Sequence, residues 1–307
     1  MKARYLAAPI GAALALALSG CSDPSSGGGT SAGGSTPSAA AVSAGAKTPA
    51  VTVDKKARAA LPASIRDKGE LVAVMSESSA PLHYVDTKTN KISGLDADLA
   101  RALGQALGLK VRVVGTSFDA IIPGLQASKY DIAVSQMSPS KDRLKVLDFV
   151  DYFKSGSGIG VAGGNPKKVT KDLCGFKVGD LKGSFQNTTH VPEMNKKCAA
   201  AGKPKIQEKT YPDMQTPLLS LAAGRIDAVY VDGGVLGYAI KQGAKVQALG
   251  YTDVSPVSIG FKKGAKLQTA IKGALQSLTD QGVYRSTLSK WGQADGAITD
   301  FAFDKAQ

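Results

Sequence analysis

Histidine is scarce in this chain: His83 and His190 are the only two in 307 residues, beside three cysteines and one tryptophan. Neither histidine stands at ligand spacing to a cysteine, which argues against a zinc-type site, and no metal or cofactor is expected. Beyond Leu18 no apolar run is long enough to cross a bilayer. Dense basic runs are also missing. The formal charge is +13, but the lysines are scattered in ones and twos without interleaved aromatics. That pattern describes a solvated basic surface, and no nucleic-acid partner is expected.

What is present at the start is a short leader. Lys2 and Arg4 precede an apolar core from Leu6 to Leu18, and Leu18-Ser19-Gly20-Cys21 matches a lipobox. Residues 1–21 therefore read as a bacterial lipoprotein signal, with Cys21 carrying lipid and the chain held outside the cell membrane. Residues 22–60, mostly Ser, Gly, Thr, Ala and Pro as far as residue 50, read as a flexible tether. With Cys21 lipidated, Cys174 and Cys198 remain as an even pair in an exported chain, and a disulfide between them is the economical reading.

The most informative stretch is YDIAVSQMSPSKDRLKVLDFVDYF, residues 130–153. Asp131 to Val134 has the profile of a buried parallel strand. Ser135, Gln136 and Ser138 follow, then a helical run with Ser140 as N-cap and Arg143 in its first turn. Acids belong in a first helical turn, and Asp142 supplies one. A cation there fits only if it faces an anion, the alternative being a surface ion pair. Leu95 to Leu107 reads as an amphipathic helix. Asp96 and Asp98 near its start form a carboxylate pair, read as structural. A weak internal echo links Lys129–Ser135 with Gly224-Arg225-Ile226-Asp227-Ala228-Val229-Tyr230-Val231-Asp232.

Taken with GLDADLARALGQALG (94–108) and TSFDAIIPGLQASKYD (116–131), this stretch resembles the family-3 extracytoplasmic solute-binding proteins. These are the polar-amino-acid receptors of ABC importers. The resemblance runs from about Ala73 to Trp291. It implies an α/β, two-lobed periplasmic-binding-protein-like fold of type II, with two mixed, mainly parallel sheets, flanking helices and a two-strand hinge. Lobe one would span 61–155 and 251–307, and lobe two 156–250. The implied protein is a monomeric receptor rather than an enzyme. Its partners would be an amino acid and membrane permease subunits.

The resemblance also assigns roles. Arg143, with Ser138 and the loop at Ser184, would hold the ligand's α-carboxylate, and Asp232 its α-ammonium. Ser135 and Gln136 sit at the strand end facing the ligand, and Phe118 packs on the ligand's side chain. Phe185 replaces a hydroxyl residue of the family's loop and would narrow the pocket or stack on the ligand. Ser76 and Ser79 stand where relatives that bind basic side chains carry an acid and an aromatic. Their presence points away from lysine, arginine or histidine, unless neighbouring Glu77 turns inward. Two rivals remain: a dehydratase- or lyase-like enzyme, which needs an acid or base aimed into the cleft, and a tethered amino-acid sensor.

Overall fold

The computed structural model describes residues 49–306; the leader with Cys21 and the tether as far as residue 48 lie outside the described residues. Two short helices come first, α1 (Lys55–Ala59) and α2 (Ala63–Lys68). Lobe one then runs β1 (Glu70–Ser76), β2 (Ser78–Ser79), β3 (His83–Asp86), β4 (Lys91–Ser93), α3 (Leu95–Ala106), β5 (Lys110–Thr116), α4 (Ile121–Gln126) and β6 (Ile132–Met137). A long strand, β7 (Leu147–Ala162), leads into lobe two. That lobe contains β8 (Lys177–Leu181), α5 (Val191–Ala200), β9 (Gln207–Tyr211), α6 (Gln215–Ala222), β10 (Ala228–Asp232) and α7 (Gly233–Lys241). The return strand β11 (Val246–Lys262) is followed by α8 (Gln268–Asp280) and α9 (Val283–Lys290).

The main strands lie in the order β5-β1-β6-β11-β7-β10-β8-β9. The two sheets expected from the sequence are the two halves of this ladder. They are continuous because β7 and β11 pair along their whole length, from Lys262 opposite Leu147 to Val246 opposite Ala162. Each half has the same plan: β1 lies parallel between β5 and β6, and β8 lies parallel between β9 and β10. A long antiparallel strand borders each third strand, β11 beside β6 and β7 beside β10. The sequence echo marks equivalent positions. Asp131 Oδ2 accepts from Val72 N–H at 2.7 Å, and Asp227 Oδ2 accepts from Lys177 N–H at 2.9 Å. In both halves an aspartate before the third strand satisfies a backbone donor at the start of the first.

The helical run expected from Ser140 is one 3-10 turn, Arg143–Lys145. β7 begins at Leu147, and its first seven residues are all buried. Pairing with β11 therefore claims the chain before a second helical turn can form. Ser140 Oγ still accepts from Arg143 N–H at 3.2 Å, but no α-helix N-terminus is built here. In lobe two, the loop after β8 likewise enters a π-turn, Gln186–His190, before α5 begins.

The ordered domain starts before residue 61. Asp54 caps α1 by accepting from Ala57 N–H at 2.8 Å, and Ala57 is buried. Arg58 Nη1 donates to the carbonyls of Leu107 and Gly108, at 2.8 and 2.6 Å, neutralising the C-terminal end of α3. The tether boundary at residue 60 thus gives way to packed structure from about Thr52, whose N–H reaches Gln281 Oε1 at 2.7 Å. Leu95, Leu99, Leu103 and Ala106 of α3 are fully buried, each leucine contributing about 1.5–3 kcal/mol. In lobe two, α7 lies on β7 at Gly158 and Gly160, where an added Cβ would stand 2.8 and 2.7 Å from Leu236. That close approach fixes the start of α7 and so the end of β10. Among the described residues no helix is long and apolar enough to cross a membrane.

Cys174 and Cys198 are disulfide-bonded, tying the approach to β8 to the last turns of α5. Closing a loop across a sequence separation of 24 contributes about 3 kcal/mol in the chain-entropy description. Replacing both cysteines by serine should lower the melting temperature by several degrees. Thiol titration of the unfolded, unreduced soluble domain should find no free thiol.

Candidate functional site

β1, β6, β8 and β10 all end at the junction of the lobes, and open α/β sheets bind ligands beyond such strand ends. A cavity lies there. From lobe one it is lined by Ser79, Phe118, Ser135, Gln136, Ser138 and Arg143. From lobe two it is lined by Ser184, Phe185 and Asp232. Ser76 is the expected site residue that stays outside. It is buried behind the wall, its N–H donating to Ser135 Oγ at 3.1 Å. Glu77 turns outward, leaning across Gly115 of β5 into a separate groove.

Arg143 is 6% exposed. Nη1 donates to Ser138 O at 2.8 Å, and Nη2 crosses the cleft to Gly183 O at 2.8 Å. Its guanidinium carbon lies 5.6 Å from the centre of the Phe118 ring, so Phe118 supports the arginine as well as lining the cleft. Burial pulls the guanidinium pKa down to about 10, against the opposing charge of Asp232. It remains a cation at neutral pH with donors left for an anion.

Asp232 occupies the N-cap position of α7 but makes no capping bond. Its Oδ1 accepts instead from Gln186 Nε2 at 3.1 Å, and the same amide donates to Ser157 Oγ at 2.9 Å. Burial raises the Asp232 pKa; the Gln186 hydrogen bond and the charges of His83 and Arg143 oppose the rise.

Sequence reasoning named Ser135 and Gln136 on the floor of the site but missed His83 and the network behind them. His83, 1% exposed, lines the cavity and bonds through Nδ1 to Asp96 Oδ2 at 2.7 Å. Asp96 Oδ1 accepts from Tyr152 Oη at 2.6 Å and from Gln136 Nε2 at 3.0 Å. Gln136 Oε1 is left buried without a partner. Its backbone is left-handed, with φ of +50° at the strand end. The available signal was an acid beside the apolar face of α3. Asp98, by contrast, is structural, joining Arg101, Lys290 and Trp291.

Across the cleft, sequence reasoning named Ser184 and Phe185 but missed His190 and Asp253, which also line the cavity. Tyr230 Oη lies 3.0 Å from both His190 Nδ1 and Thr252 Oγ1 and donates to Asp253 Oδ2 at 3.2 Å. Phe185 meets His190 edge-on with ring centres 4.7 Å apart. Ser184 is occupied locally, its Oγ accepting from Asn187 N–H at 3.1 Å. Asn187 Oδ1 accepts from Gly183 N–H at 3.0 Å, and its amide donates to Glu208 Oε1 at 2.8 Å. Beneath this loop Asp180 is fully buried, and burial beside Glu208 pushes its pKa up to about 9.

The lobes touch. Lys182 Nζ lies 2.9 Å from Asp119 Oδ2, and Met214 N–H donates to Ser78 Oγ at 3.1 Å. The cavity volume is about 30 Å³, space for about two water molecules. An amino acid can therefore enter only when the lobes part.

Residues 71–294 match the bacterial extracellular solute-binding proteins, family 3. The chain belongs to this family. Among curated relatives it is 26% identical over 246 residues to an arginine-binding protein of Corynebacterium glutamicum, covering 79% of this chain and 81% of that one. It is 27% identical over 233 residues to an L-cystine-binding protein of Bacillus subtilis, covering 75% and 83%. Among solved structures, an ancestral arginine-binding protein bound to arginine has a TM-score of 0.65 at 32% identity, covering 73% of this chain and 98% of that one. An ancestral amino acid-binding protein, a precursor of cyclohexadienyl dehydratase, has a TM-score of 0.63 at 27% identity, with 74% and 97% covered. As a family 3 solute-binding protein the chain has the type II periplasmic-binding fold that these neighbours share.

Two acids of lobe two cost the fold stability. Native Asp180 keeps its proton up to about pH 9, whereas the unfolded chain releases it near the ordinary carboxylate pKa of 3.8. The native state therefore binds more protons across that window, and stability falls as pH rises through it. Asp180→Asn should flatten that slope in urea titrations between pH 5 and 9. The same sign holds for Asp232, whose pKa is raised by burial. Asp232→Asn should raise the melting temperature of the ligand-free protein at pH 7, with the gain shrinking as pH falls.

Proposed function

We propose that this protein captures a small polar amino acid outside the cell and delivers it to an ABC permease. In this reading it works as a monomer, anchored by lipid on Cys21. The carrying observation is that Arg143 and Asp232 face one cavity from opposite lobes. Arg143, with Ser138, takes the α-carboxylate, and the loop at Ser184 closes over it. Asp232 takes the α-ammonium, with Gln186 orienting it. Phe118 stacks beneath Arg143 and borders the ligand's side chain. Ser135 and Gln136 form the floor. Joint engagement of both charged ends requires closure about β7 and β11, which couples binding to the shape the permease reads. Relatives named for binding arginine and cystine support an amino-acid ligand.

A second reading has one specific support. His83 lines the cleft with Asp96 behind it and Ser135 Oγ 3.4 Å from its Nε2, so an imidazole backed by a carboxylate does face the cavity. An enzyme would convert the candidate amino acid, whereas a receptor returns it unchanged in a one-to-one complex. Mass spectrometry after incubation separates the two.

The receptor reading is tested on the tightest ligand from a thermal-shift screen of the amino acids. Arg143→Ala and Asp232→Ala each leave a ligand charge buried and unpaired, at about 2–5 kcal/mol. Each should weaken the Kd by calorimetry at least about thirtyfold, with circular dichroism unchanged. Wild-type affinity in both variants overturns these roles.

A further inference from the structure

We propose that Asp253 selects a ligand whose side chain ends in a cation, an ammonium or a guanidinium. The inference rests on the amino-acid reading above and names the substrate class of that same cleft.

Asp253 lies in β11 where the pairing with β7 slips, between Thr252 and Ser255. Its φ is +53°, in the left-handed region that few side chains adopt without cost. Irregularities of this kind re-aim a side chain beside a binding site. Here the effect is to put a carboxylate on the cavity wall, at the hinge.

That carboxylate lacks a countercharge. Its contacts are Tyr230 Oη at 3.2 Å and His190 Nδ1 at 3.7 Å. Among the described residues no lysine or arginine forms an ion pair with it. Burial holds the His190 pKa below its ordinary value, so the imidazole is neutral at pH 7. The Asp253 side chain is 53% exposed, so it is not itself sealed from an approaching ligand.

The cavity wall thus sets one arginine against two aspartates. A zwitterionic amino acid satisfies Arg143 and Asp232 and leaves Asp253 over. A third, positive group on the side chain balances it. The neighbouring rings suit such a group: Phe185 and His190 both line the cavity, edge-on to each other, with Tyr230 buried behind His190. Aromatic surface next to a carboxylate is what a guanidinium or ammonium binds. Ser76 and Ser79, with Glu77 turned outward, pointed away from a basic side chain; Asp253 on the hinge strand and Phe185 in lobe two reverse that expectation.

The test compares ligands matched in shape and different in charge: arginine with citrulline, and lysine with norleucine, by calorimetry at pH 7. The wild type should prefer the cation of each pair by about ten- to hundredfold. In Asp253→Asn, a residue that tolerates positive φ, that ratio should fall to near one. Asp253→Glu should retain a preference for the cation. A neutral amino acid as the tightest ligand, equal affinities within each pair, or an unchanged ratio in Asp253→Asn overturns the assignment and leaves the amino-acid reading standing. Failure of the wild type to bind any amino acid overturns both.

Discussion

The buried charge of Arg143 is the constraint on which the cleft depends. A guanidinium removed from water is tolerated only when its donors are met. Here two of them are met by carbonyls from both lobes, Ser138 O in one and Gly183 O in the other, and the rest are left for an anion. Its full set of bonds therefore exists only with the lobes together. The Gly183 loop is held for this purpose by Asn187, and Asn187 by Glu208 on β9. Phe118 adds a ring face on the other side. Removing the arginine would leave two carbonyls and a ring around a hole rather than a binding surface.

Opening the cleft has to be cheap enough for ligand to enter and costly enough to mean something. β7 and β11 run through both lobes, so the hinge is a two-stranded ribbon and not a loose linker. Such a ribbon bends where its ladder is already interrupted. The interruptions between Ala248 and Gly250 and between Thr252 and Ser255 lie along its crossing segment. Apart from the Arg143–Gly183 bond, the direct bridges between the lobes that must break on opening are weak. The Lys182–Asp119 pair has side chains 64% and 35% exposed, and such pairs contribute at most about 1 kcal/mol. A ligand bridging Arg143 and Asp232 would add more than these bridges hold, so occupancy rather than the lobes' own attraction would set the closed population.

The repeated plan of the two halves was legible because one aspartate does the same backbone work in each. Asp131 and Asp227 are short-range signals, fixed by the residues that follow them. The strands and long helices were legible for a similar reason, since their apolar patterns are local. The turn at Arg143 was not. Its sequence is compatible with a helix, and only pairing of β7 to a strand more than a hundred residues later ends it. His83 and Asp96 lie only 13 residues apart, yet they were hidden too. Each has an ordinary local explanation, and only the packing of α3 over β3 and β6 makes them partners. Asp253 could not be found from pattern at all, because a bulge reverses which face a side chain takes.

That division bears on where ligand choice resides. The floor is a closed network: Asp96 accepts from His83, Tyr152 and Gln136, and Ser135 accepts from Ser76. Burial beside Asp96 keeps the Tyr152 phenol protonated, so this donor does not switch. A buried network in which all but Gln136 Oε1 is paired is rigid, and altering one member strands the others. It offers a ligand little beyond the free Gln136 Oε1. The opposite wall carries the half-exposed carboxylate of Asp253 and rings that meet edge-on. Substitution there disturbs fewer buried bonds. A lineage changing its ligand would therefore be expected to vary residues on the hinge and in lobe two while the floor and the Arg143–Asp232 pair stayed fixed.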